Sequence, residues 1–313
     1  MRTVSKVTDD PELRLLPRAV SERNTTHDLL WAALLAPPAS QAARTALLDT
    51  ASLVANNGWV PTSALPDAEG SLESTALFLV LAERCVTSSR FVLQEAVPER
   101  GAAQLCLLLR TAAKALTAFA LSARGFKPLA EPYVSRRNGR CPTELYALVL
   151  AALGAVRRLI THDPTDVDSH LSYPSVELVQ RSEQRVTQGL QRSMAYGAPQ
   201  AVTAAHLVFF VDPSVLPEEL HRDVPRTLRT SALAPHLFAD IHGRLWLFEL
   251  EVAARACEML SLVGEAARLR SHLLEVAAPN QAAWLGLGTD VAFGPHLLTA
   301  GAATAARHRL RSE

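Results

Sequence analysis

Aromatic residues make up only 5% of this 313-residue chain, and cysteine occurs four times, at Cys85, Cys106, Cys141 and Cys257. The cysteines form no CxxC pair and keep no regular spacing, which argues against a disulfide framework and against a cysteine zinc site. A charge excess is lacking too: Lys+Arg and Asp+Glu are both 31, so the formal net charge is zero. That balance supplies no general pull toward nucleic acid or an anionic membrane, and neither is expected as a partner. The phosphate-cradling patterns GxGxxG and GxxxxGK[ST] are missing, as are HExxH and the nucleophile-elbow GxSxG. The opening "MRTVSKVTDDPELRLLPRAV" has no apolar core of the signal-peptide kind. The longest apolar run, "AAQLCLLLRTAAKALTAFALSA", carries Arg110 and Lys114 inside it and so reads as a buried helix rather than a membrane span. These features predict a soluble, cytoplasmic protein in a reducing compartment.

Sustained period-two alternation is absent as well. What the chain has instead is alanine, leucine and recurrent helical periodicity, which predicts an all-α fold, a bundle of helices with any cofactor held between them. "NTTHDLLWAALL" starts a helix with Asn24, Thr25 or Thr26 as its cap and stops at Pro37-Pro38. "SQAARTALLDTASLVANNG" follows, with Ser40 as cap and Gly58 as stop, and "WVPTSALPDAEGS" reads as a loop. Two long helices are expected from about Ser71 to Ala96 and from about Ala102 to Arg124. The Pro-, Gly- and Arg-bearing stretch "GFKPLAEPYVSRRNGRCPTE" then interrupts the pattern. The organisation expected is one all-α domain over 1–313, with a sub-boundary at the 125–142 loop that separates N-terminal helices 1–124 from a part spanning 143–313. In that second part "TELYALVLAALGAVRRLI" is a helix capped by Thr143, "THDPTDVDSHLSYPS" a polar loop, and "VELVQRSEQRVTQGLQRSMAYG" a polar helix with a thin apolar stripe. "AVTAAHLVFFV" ends at Asp212-Pro213, "PEELHRDV" is a short helix, about Arg244 to Val276 is one or two helices, and "HLLTAGAATAARHRLR" closes the chain. No internal repeat is visible.

Ten histidines are the residues most able to carry chemistry, because imidazole is both the commonest transition-metal ligand and the commonest base near neutral pH. No two of them stand at i,i+4 with a carboxylate partner, and the paired Glu-x-x-His helices of di-iron bundles do not occur, so a site built from protein ligands alone lacks its spacing. Asp163, Asp166 and Asp168 read as turn residues. A single axial histidine is enough only where haem supplies the other nitrogens. His272, in "EAARLRSHLLEVAAPNQAAWLGLG", shares a helical face with Leu269, Leu273 and Val276, and Arg268 and Arg270 stand beside it. Taken by itself it is either such a ligand or a half-buried core histidine bonded to a neighbour. His206, in the apolar "AAHLVFFV", is the rival ligand, and Cys141 in "SRRNGRCP" is either a thiolate ligand or an inert cysteine.

Three stretches, in order, resemble the haem-dependent aromatic oxygenase superfamily, which includes the tryptophan and indoleamine dioxygenases, monodechloroaminopyrrolnitrin synthase and the haem tyrosine hydroxylases. "THDPTDVDSHLSYPS" is similar to a loop of the form N-P-T-x-x-D-x-x-x-S-Y, and "VDPSVLPEELHRDVPRTL" to an S-P-x-x-F-x-x-x-L-R-P-F segment. "RLRSHLLEVAAPNQAAWLGLGTDVAFGPHLLTAGAATAARHRLR" is similar to the C-terminal end, where a helix bearing the proximal histidine is followed by a glycine loop and a last helix. The likeness covers the last half of the chain and is closest to the pyrrolnitrin enzyme and the tyrosine hydroxylases. It implies haem b held by His272 in the 143–313 part, with Arg268 and Arg270 placed to pair with its propionates. It also implies oxidation of a small aromatic substrate, such as tyrosine, tryptophan or a derivative, by dioxygen or hydrogen peroxide in specialised metabolism such as antibiotic biosynthesis. The arginine that grips the substrate carboxylate in the dioxygenases falls on His221 here, with Arg222 next to it. Their glycine- and serine-rich stretch is replaced by "LFADIHGRLWLFE", which brings His242 toward the reacting side. His27, in "HDLLWAALL", is similar in position to the distal histidine of tryptophan dioxygenase. A homodimer is a compatible assembly. The alternatives are a helical binding or regulatory protein without chemistry, or a cofactor-free helical cyclase that uses the second-half histidines as acid and base.

Overall fold

The computed structural model of the chain describes residues 26–36, 40–62, 70–98, 100, 104–122, 143–163, 172–194, 199–238 and 247–277. Among them the fold is all-α, as expected, with ten α-helices and one two-stranded hairpin. They fall into two compact units, Thr25–Ser193 and the part that runs from Met194 onward.

The first unit holds α1 (Thr26–Leu35), α2 (Gln41–Leu53), β1 (Val60–Pro61), β2 (Gly70–Ser71), α3 (Leu72–Ser88), α4 (Leu105–Leu121), α5 (Thr143–His162) and α6 (Val176–Met194). Its centre is α3, which packs on α1, α2, α4 and α5. Every residue from Leu72 to Ala82 is buried, the mark of a helix enclosed on all sides rather than amphipathic. Two hydroxyl caps set the helix starts: Ser40 Oγ accepts from Ala43 N, and Ser71 Oγ accepts from Ser74 N. The stretch that reads as a loop after α2 contains a short antiparallel pair, with Val60 opposite Ser71 and Pro61 opposite Gly70. The helix expected to run to Ala96 ends at Ser88; Ser89 turns extended and a 3-10 turn occupies Arg90–Gln94. By length and composition α5 is apolar enough to cross a membrane, and it lies against α3.

Arg110, the charge inside the longest apolar run, is 2% exposed on α4. Its Nη2 and Nε donate to Asp163 Oδ2 at 2.6 and 3.1 Å, and its guanidinium lies 5.7 Å from the centre of the Tyr173 ring. One buried cation thus holds both Asp163 and Tyr173, from the two ends of "DPTDVDSHLSY". Asp163 is an ion-pair partner rather than only a turn residue. Asp166 and Asp168 lie outside the described residues.

The second unit holds α7 (Ala201–Phe210), α8 (Glu218–Leu233), α9 (Leu247–Met259) and α10 (Val263–Ala277). The helix expected at "PEELHRDV" is short, yet α8 continues through Pro225 to Leu233. The single-or-double question for the next segment resolves into two helices. They break at Ser261, which takes φ 60°, while Leu262 N donates to Cys257 O at 2.8 Å.

Each unit repeats one packing scheme that the sequence does not display. In the first, α1 packs on α2 and α3, α3 on α4, and α2 on α4; in the second, α7 packs on α8 and α9, α9 on α10, and α8 on α10. Such stacking of successive helix pairs is the logic of helical-repeat proteins. The expected sub-boundary at 125–142 does not hold. α5, which follows that loop, packs on α3, which precedes it, and Arg158 Nε pairs with Glu83 Oε1 at 2.8 Å across the two helices. The compact units divide at Ser193/Met194 instead.

Candidate functional site

α10 carries His272. Ala266, Leu269 and Leu273 form its buried stripe, one or two turns apart, and His272 stands at the edge of that stripe with its side chain 34% exposed. Among the described residues its charged neighbour is Glu275, with Oε2 3.9 Å from Nδ1, beyond hydrogen-bond reach. Among the described residues the imidazole thus has no hydrogen-bond partner, and it is open on one side. Arg268 is exposed beside it, whereas Val276 and the glycine loop with the closing helix lie outside the described residues for which side chains can be placed.

Arg270 takes a different part from the one expected. It is fully buried; Nε donates to Glu251 Oε2 at 3.0 Å and Nη1 to Glu258 Oε1 at 2.5 Å. Glu251, itself 0% exposed, also receives Arg255 Nε at 3.0 Å. Burial opposes the Arg270 charge, but hydrogen bonds and charge from Glu258 and Glu251 hold its pKa above the ordinary value. A guanidinium shared between two internal carboxylates joins α9 to α10 and is not presented to a propionate.

The rival ligand His206 is 6% exposed on α7. Its Nε2 is 2.7 Å from Glu249 Oε2 on α9, and its ring meets Phe210 edge-on at 5.8 Å. A carboxylate on one ring nitrogen is how metal-ligating histidines are often oriented, but it equally ties two core helices together. His27 repeats the arrangement in the first unit: 1% exposed on α1, with Nε2 2.8 Å from Glu73 Oε1 on α3, and Trp31 Nε1 donating to the same nitrogen at 3.1 Å. The residue expected to be distal is thus part of an interhelical hydrogen-bonded core. His221 and Arg222 are exposed on α8, which packs against α10. His206, His221, Arg222, Arg268, Arg270 and His272 all belong to the second unit, and His27 to the first. His242 and Cys141 lie outside the described residues.

Sequence reasoning missed the partners: Glu73, Glu249 and Glu251 were not singled out, nor was Trp31. The signal was available in "LFELEVAARACEML", where acidic side chains interrupt an apolar helix and must be paired to be buried there. Burial pushes the Cys85 thiol up to about 11 and that of Cys257 up to about 12, and it raises Cys106 and the Tyr173 phenol as well. Among the described residues no group of three or more His, Cys, Asp or Glu could hold a metal ion. Searches of protein-family models, of curated proteins and of solved structures each found no match to the chain.

Proposed function

We infer that the chain is a histidine-ligated haem protein that oxidises a small aromatic compound, with His272 as the axial ligand. One observation carries this reading. His272 has an open imidazole on α10 with no hydrogen bond to a described residue, and α10 packs against the helix that bears His221 and Arg222. The order of the three stretches named above is its other support.

His272 fits haem b in this respect: an axial ligand needs an available ring nitrogen on a helix, and its part-exposed ring stands at the edge of the buried stripe of Leu269 and Leu273 with no hydrogen bond to a described residue. Arg268, exposed on the same helix, is the side chain left to hydrogen-bond a propionate, since Arg270 is engaged internally. Haem, when bound, supplies the redox chemistry that activates dioxygen or hydrogen peroxide. His221 and Arg222 bind the substrate's carboxylate, and His242 is the residue to which the reading assigns proton movement. His27 is given no proton to move, because its Nε2 is held by Glu73 and Trp31.

A second reading, a haem-free helical binding or regulatory protein, draws on a different observation: His27, His206 and Arg270 are all spent in joining stacked helices. One experiment separates the two. Protein expressed with a haem precursor is expected to show a Soret band that His272→Ala abolishes and His206→Ala retains, with unchanged helical circular dichroism. No Soret band in the wild type would leave the binding reading in its place, and a band retained in His272→Ala would overturn His272 as the ligand.

A further inference from the structure

Most arginines described in the first unit are engaged, Arg181 on α6 being an exception. Arg44 pairs with Glu95, Arg157 with Glu183 and Arg158 with Glu83, while Arg84 and Arg185 donate to the carbonyls of Leu34 and Leu121. On α8 the pattern reverses. Arg222, Arg226 and Arg229 are all exposed, and among the described residues their side chains make no hydrogen bond or ion pair, although Glu218 and Glu219 stand on the turn just before them. Spacing of i, i+4 and i+7 places the three guanidinium groups in one stripe along the helix. Leu233, a further turn along the same stripe, is 69% exposed, and Leu237 just beyond the helix end is 46% exposed. The opposite face of α8, through Leu220, Val224 and Leu228, is buried. Cations without partners that run into exposed leucines on a well-packed helix are what a docking face presents before it is covered.

We propose that this stripe, Arg222–Arg226–Arg229–Leu233, docks an acidic amphipathic helix of a partner protein. Charge complementarity selects the occupant. Guanidinium forks take carboxylates bidentately, and three of them one helical turn apart match carboxylates at i, i+4 and i+7 of a facing helix. An apolar residue one turn further along the partner then covers Leu233. Glu218, Glu219 and Asp223 flank the stripe and would repel a continuous run of phosphates, and the chain's zero net charge adds no long-range pull. Discrete carboxylates are therefore favoured over nucleic acid or an anionic lipid surface. The proposal stands apart from the haem reading and shares only Arg222 with it.

The test uses the full chain and a fluorescein-labelled helical peptide with Glu at i, i+4 and i+7 and Leu at i+11, followed by fluorescence anisotropy. Saturable binding is expected, weakened by salt, and weakened about tenfold or more by R226E/R229E, which leaves Arg222 in place. Leu233→Ser should also weaken it, and R226K/R229K should lie between wild type and the charge reversal. Circular dichroism and thermal melting report that each variant stays folded. The proposal is overturned if the peptide fails to saturate, or if R226E/R229E binds it as wild type does. It is likewise overturned if a same-composition peptide with its Glu residues off the stripe binds equally, or if phosphatidylserine vesicles or an RNA oligonucleotide bind more tightly than the peptide.

Discussion

Arg270 and Glu251 are both completely buried and hydrogen-bonded to each other, with Glu258 as a second partner of Arg270. At that depth a single substitution does more than delete an attraction; it leaves Arg270 in the core with Glu258 as its remaining carboxylate. Glu251→Gln is expected to destabilise the chain by about 3–5 kcal/mol, because Arg270 and Arg255 then lose their shared carboxylate. Replacing both members with apolar groups, as in Glu251→Leu with Arg270→Met, should recover much of that loss. Urea unfolding of Glu251→Leu, Arg270→Met and their double checks it, and a double cost equal to the sum of the two single costs would show the pair to be uncoupled. From the sequence Arg270 reads, like Arg268, as an arginine beside His272 able to pair with a haem propionate. Nothing local distinguishes two arginines two positions apart; the distinction comes from the carboxylates that α9 presents to one of them.

Helix starts were legible where chemistry is local. Ser40 caps α2 as its spacing predicts, since a hydroxyl before a periodic run has one obvious donor to satisfy. Helix ends were less so: α8 continues through a proline that a single-sequence reading takes as a stop, and α3 gives way to a 3-10 turn with no proline or glycine to announce it. Gly58 was legible as a breaker but not for its full reason. It takes φ +88° in the turn between α2 and β1, and a Cβ there would run into the Thr111 carbonyl and lie 2.9 Å from the Ala115 Cβ on α4. Left-handed backbone alone costs an L-residue about 1–2 kcal/mol, and the contact with α4 adds to it. Gly58→Ala is therefore expected to lower stability by about 2 kcal/mol or more, read as a shift in the urea midpoint with unchanged slope. A variant as stable as wild type would mean that the turn and α4 shift apart freely.

At the scale of the whole molecule, fold class was legible and organisation was not. Helical periodicity is a property of each segment, so an all-α chain declares itself in any window. The two-unit division and the repeated packing scheme depend on which helices meet, and those meetings join residues far apart. His27 bonds a glutamate 46 positions away and His206 one 43 positions away, with no shared sequence pattern to announce either. One consequence belongs to the whole chain, because buried acids in both units are shifted the same way. The thiols of Cys85 and Cys257 are raised from an ordinary 9.0 to about 11 and about 12, chiefly by burial, and Cys106 and Tyr173 are raised too. A folded chain that keeps protons which its unfolded form releases is stabilised by them only while both forms are protonated. That stability is complete below the unfolded thiol value near 9.0 and is lost as pH rises through the folded values of about 11 and about 12. The thermal midpoint should stay level from about pH 7 to about pH 8.5 and then fall steadily, and Cys85→Ser with Cys257→Ala should shallow the fall. A midpoint that holds level to about pH 11, or a slope unchanged in that double variant, would show that these thiols reach solvent before the chain unfolds.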